Sequence, residues 1–123
     1  MRPTNPYFVT CYKLFEDYGG FPRSLVHGMP APIACRPDRR SRLFETDVPL
    51  EKEPGTKGFN VFSNMGNAIE YLPRFKVRAH DLYLVRIYAM RLDFTPGSHY
   101  MIADTIWIPS EDWDLRTRGE FLL

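Results

Sequence analysis

Cysteine, histidine and lysine are all scarce in this chain of 123 residues, which has two, three and four of them. Cys11 and Cys35 have no C-x-x-C spacing and few histidines for company, so the sequence points to no metal site. Two lone cysteines in a reducing compartment read as small buried hydrophobes. Also missing is any apolar run of the roughly 18–20 residues that a bilayer span needs. Pro3 and Pro6 stand where a signal peptide would need its apolar core. The expected location is therefore cytoplasmic, in the producing or an invaded cell, with no membrane partner. There is no repeat, low-complexity tract or linker. A hydrophobic content of 44% with 25% charged residues excludes collagen, coiled coil and disordered tail. A net charge of +1 provides no global field toward nucleic acid and no acidic surplus that could imitate a phosphate array.

What is present is a succession of strand signals. Tyr7–Glu16 is β-branched and aromatic on both faces, Asp17-Tyr18-Gly19-Gly20 supplies a tight turn, and Ser24–His27 can return as a hairpin partner. Pro30, Pro32 and Pro37 make Met29–Arg42 a loop or edge segment. Leu43–Val48 and Gly58–Phe62 read as short strands, the second buried. A helix capped by Ser63 or Asn64 follows, with Ala68, Ile69 and Leu72 as its apolar stripe and Pro73 at its end. Leu82–Leu92 is the strongest strand, and Tyr83, Val85, Ile87 and Ala89 share one face. Tyr100–Ile108 alternates as another, placing Asp104 on the face of Ile102, Ile106 and Ile108. A carboxylate there needs a partner, and Arg86 is one candidate. Ser110 caps a short acidic turn, and the Phe-Leu-Leu tail is expected to dock. The sum is an α+β fold in a single domain over 1–123. It is a mainly antiparallel sheet of about five to six strands with one central helix and a short C-terminal helical turn.

The basic residues are biased, with twelve Arg against four Lys, and Arg suits bidentate recognition of carboxylate or phosphate. Arg36, Arg39, Arg40 and Arg42 form the one dense cationic run. Such a loop can grip phosphates, meet an acidic groove on a protein, or simply be solvated.

His27-Gly28, then Lys57-Gly58-Phe59-Asn60-Val61-Phe62, then Ala68 and Tyr71 on a helix, resemble the nicotinamide-binding half of ADP-ribosyltransferases of the diphtheria-toxin and poly(ADP-ribose) polymerase type. The resemblance implies NAD as cofactor. His27 would bond the nicotinamide ribose, the Gly28 backbone would hold the carboxamide, Tyr71 would stack on the ring, and Asp104 would stand for the catalytic glutamate. Met29, Asn60 and Asp104 depart from the family's Thr, aromatic and Glu.

A second resemblance, carried by Y-K-L-F, a glycine turn, R-S-L-V and P-G-T-K-G-F, is to small proteins encoded by phages and prophages. Their size and neutrality are shared with anti-CRISPR proteins, which act by binding. It implies a non-enzymatic inhibitor of a host factor, a protein or ribonucleoprotein complex, working without cofactor. Its contact would be the Arg36–Arg42 loop, aided by exposed Tyr18, Phe21 or Trp113. This is the favoured expectation, and an NAD-dependent transferase is the alternative, because a resemblance whose polar positions are substituted predicts fold better than activity.

Overall fold

The computed structural model describes residues 2–24, 42–74, 82–94, 97 and 99–122. Among these, seven antiparallel strands form one sheet: β1 (Val9–Tyr18), β2 (Phe21–Arg23), β3 (Pro49–Glu51), β4 (Phe59–Val61), β5 (Leu82–Phe94), β6 (Met101–Trp107) and β7 (Thr117–Arg118). The order is β2-β1-β5-β6-β3, with β4 also on β6 and β7 on β5. Helix α1 (Met65–Tyr71) runs into a 3-10 turn at Leu72–Arg74, α2 (Ser110–Asp114) follows β6, and a last 3-10 turn covers Gly119–Phe121. The fold is α+β and mostly sheet, with two more strands than the lower expectation. None of the described helices is long and apolar enough to cross a membrane.

The sheet curls because β6 is shared. Its outer edge takes β3 at Thr105–Trp107 and β4 at Met101–Ala103. From β4 the chain runs straight into Phe62, which exchanges backbone hydrogen bonds of 2.8 and 2.7 Å with Tyr12 of β1. The two sides of the sheet thereby meet. Cys11, Phe15, Phe59, Val61, Val85, Ile87, Ala89, Ile106 and Ile108 fill the interior together with Phe44 and Trp113. The aromatic members interlock edge to face, Phe15 against Phe44 at 5.8 Å and against Trp113 at 6.0 Å, a geometry worth about 0.5–1.5 kcal/mol per pair beyond area burial. The alternate residues Leu14, Leu82 and Leu84 make a second core with Ala68 and Leu72 of the α1 segment, and Leu122 of the tail packs against it.

Local chemistry sets the elements. Gly19 and Gly20 have φ of +61° and +92°, the conformation a two-residue hairpin loop requires. Asp17 Oδ1 accepts the Gly20 N–H at 2.8 Å. The return strand starts at once with Phe21, not at Ser24 as expected. Leu43–Val48 is not a strand: Leu43 makes only an isolated bridge to Arg23. Asp47 turns the chain at φ +62°, and the strand begins with Pro49. Proline is tolerated as the first residue of an edge strand because its missing N–H is not needed there. Gly58 has φ +133°, and a Cβ on it would lie 2.2 Å from the Ala103 carbonyl oxygen. Glycine is therefore required for β4 to reach β6. Asn64 caps α1, its side chain accepting the Asn67 N–H at 2.8 Å. Ser110 does not cap α2 itself. Pro109 stands at the cap, and Asp47 Oδ1, far away in sequence, accepts the Ser110 N–H at 3.1 Å.

Candidate functional site

The residues singled out from sequence fall into three groups. His27, Gly28, Arg36, Arg39 and Arg40 lie outside the described residues, as does Cys35. Tyr71 and Asp104 are described, and so is Arg42.

The Tyr71 ring packs at 5.4 Å from Phe62 and 5.6 Å from Tyr100, at the margin of the second core. Asp104 does not share a face with Ile106 and Ile108, which corrects the alternation drawn above. Ala103 and Ile106 belong to the same core cluster, which residues three apart on a regular strand cannot do. The β5–β6 ladder passes from Met90–Thr105 to Leu92–Ala103 without pairing Arg91 and Asp104, and Arg91 has φ +57°. Asp104 lies on β6 between the residues that pair with β3 and those that pair with β4. There Lys52 approaches its carboxylate at 4.0 Å and the Thr105 hydroxyl donates to it at 3.2 Å. Arg86 is not its partner, being paired with Asp112 at 3.0 Å. Tyr71 and Asp104 thus stand in different surroundings. Neither lines the open clefts bordered by Arg2 and Phe8, by Phe21 and Trp113, or by Tyr83 and Phe121.

Arg42 is held within the fold. Its guanidinium lies 3.6 Å from Glu53, donates to the Glu51 carbonyl at 2.9 Å, and stacks over Phe44 and Phe59. Lys13, only 2% exposed, crosses the interior to donate to the Asn60 carbonyl at 2.9 Å beside the rings of Phe15 and Phe59. Burial pushes the Cys11 thiol up to about 11, so it is neutral and a poor nucleophile at ordinary pH. No group of three or more His, Cys, Asp or Glu among the described residues could hold a metal.

A different arrangement emerges where the β1–β2 hairpin meets α2. Trp113 is 4% exposed, so it is not the exposed contact residue expected from sequence. Its indole N–H donates to the Gly20 carbonyl at 2.9 Å and fastens the hairpin turn to α2. Arg116 completes the brace. It donates to Asp17 at 2.8 Å and to the Trp113 carbonyl at 3.0 Å, with its guanidinium 4.3 Å from the Trp113 ring and 5.1 Å from that of Tyr83. At the tip of this braced turn Tyr18 and Phe21 are 55% and 61% exposed. Arg23 stacks over Tyr18 at 4.6 Å and is bound to Glu16.

Beside the tip lies an open cleft of about 350 Å³, with Phe21, Pro22 and Trp113 on its apolar side and Glu45 and Asp114 among its polar lining. Asp114 also borders a second open cleft, about 420 Å³, with Tyr83, Arg118 and Phe121. Sequence reasoning missed Glu45 and Asp114, because Leu43–Val48 read as a strand and Glu111-Asp112 drew attention as helix charges. The signal that could have found them is the pairing of a Phe-Glu-Thr-Asp turn with an acidic helix around one tryptophan.

No family model matches the chain, and no curated protein or solved structure matches it either.

Proposed function

We propose that this protein works by binding, as a non-enzymatic inhibitor of a host factor of the kind phages encode against host defences, and that the hairpin tip formed by Tyr18 and Phe21 is central to the contact. The observation that carries the reading is the pairing of two large exposed aromatic rings with a rigid mount. Aromatic residues and arginine supply most interface hot spots. Presenting them on a turn already locked by Trp113 and Arg116 lowers the ordering cost of association. The arginine-bearing segment belongs to the same region of the chain: it leaves at Ser24 and returns at Arg42, whose carbonyl accepts the Ser24 N–H at 2.8 Å. To Arg36, Arg39 and Arg40, which follow β2 in the sequence, we assign the phosphate or carboxylate contacts of the host protein or ribonucleoprotein complex.

The alternative, an ADP-ribosyltransferase-like enzyme, keeps one favouring observation: β4 is followed by a helix that carries Ala68 and Tyr71 in the order the resemblance requires. Two measurements separate the readings. Produced in a bacterium with CRISPR immunity, the protein should restore phage plating, and Phe21→Ser should remove the effect. Millimolar NAD should leave its melting temperature unchanged. A rise in melting temperature that His27→Ala abolishes, together with unimpaired Phe21→Ser, would replace the binder by the transferase.

A further inference from the structure

The cleft beside Phe21 carries more chemical information than the tip itself. Its apolar side is Phe21, Pro22 and Trp113, and two carboxylates, Glu45 and Asp114, stand on its polar side. Other acids of this region are occupied: Glu16 holds Arg23, Asp17 holds Arg116, Asp112 holds Arg86 and Glu120 holds Arg118. Asp47 is engaged by the Ser110 N–H. Glu45 and Asp114 are both exposed and, among the described residues, neither has a hydrogen-bond or ion-pair partner. Two unspent negative charges lining the same cleft as an exposed aromatic ring complement one kind of side chain. It is a long cation whose stem lies on the ring while its head meets the carboxylates, gaining from both cation–π attraction and charge pairing.

We infer that this cleft docks an arginine- or lysine-bearing segment of the partner protein, with the cationic side chain laid across Phe21 between Glu45 and Asp114. The inference rests on the binding reading above and names the chemistry of what is bound. It also makes the interface two-signed: the arginines of the 36–40 segment read negative groups, and the cleft reads a positive one. A partner surface that itself handles nucleic acid offers both.

The test uses the full chain, labelled with ¹⁵N, and two capped peptides, Leu-Arg-Leu-Arg and Leu-Glu-Leu-Glu. The arginine peptide should move the Gly20 and Phe21 amide signals and the Trp113 indole signal saturably, and the glutamate peptide should not. The paired substitution Glu45→Gln with Asp114→Asn should weaken the arginine peptide by about tenfold or more with an unchanged circular dichroism spectrum. Absence of movement up to about 1 mM arginine peptide, the weak limit of useful affinity, would overturn the inference. So would equal movement by both peptides, which would mark mere apolar contact, or full binding by the paired variant. These outcomes are separable from the parent reading. If Phe21→Ser still abolishes the plating effect while the arginine peptide fails to bind, the tip remains the contact and the cationic occupant is wrong.

Discussion

Tyr71 and Phe21 are both aromatic residues that stand out in the sequence, and the fold treats them in opposite ways. Tyr71 is wedged against Phe62 and Tyr100 on a helix whose buried side closes the second core. Phe21 opens β2 directly after the two-residue turn, with most of its surface in water. The region around Tyr71 spends its rings on stability, whereas the region around Phe21 is stabilised from beneath, by Trp113 and Arg116, so that its ring is left for something else. Asp104 and Asp114 repeat the contrast: the first lies against Lys52 and Thr105, and the second lies free on a cleft.

The comparison can be broken most forcefully at Gly58, which serves the closed side of the molecule. Gly58→Ala would force a Cβ onto the Ala103 carbonyl oxygen at a backbone angle that only glycine adopts freely, costing about 5 kcal/mol or preventing folding. Denaturant unfolding measures it. Trp113→Ala comes next. It removes a buried ring and leaves the Gly20 carbonyl without its donor, so a loss of about 3–4 kcal/mol is expected, accompanied by faster hydrogen exchange at the hairpin turn.

A smaller effect should show in the pH dependence of α2. The Ser110 hydrogen bonds hold the Asp47 carboxyl below its usual range, so folding favours the ionised form. That contribution is complete above the unfolded value near pH 4 and fades as acid titrates the folded group. Asp47→Asn should therefore differ from the native chain most at neutral pH and converge with it in acid, which thermal unfolding across pH resolves. The smallest effect is expected where the surface is unspent: Phe21→Ser and Asp114→Asn should each alter stability by less than about 0.5 kcal/mol. A large loss from either would erase the contrast.

Much of the frame was legible in the sequence. Alternation in Leu82–Leu92 gave the inner face correctly, and the glycine pair after Asp17 gave the hairpin, because both rules are local. The cap of α1 was narrowed to Ser63 or Asn64 for the same reason, and it is Asn64. What escaped was non-local. Asp104 reads as facing isoleucines until the ladder skips Arg91 and shifts the alternation, and no local rule foretells that. The cap of α2 comes from Asp47, and Gly58 is fixed by β6 rather than by its own turn. Trp113 looked like a surface aromatic because it belongs to a five-residue acidic helix. Its burial comes from the hairpin that folds over it.

The most direct test of the central claim is a double comparison in the phage-plating assay, with Phe21→Ser set against Asp104→Asn and both proteins first shown to melt like the native chain. The account expects Phe21→Ser to lose the effect and Asp104→Asn to keep it. The reverse, a silent Phe21→Ser and an inactive Asp104→Asn, would contradict it and return the function to the carboxylate.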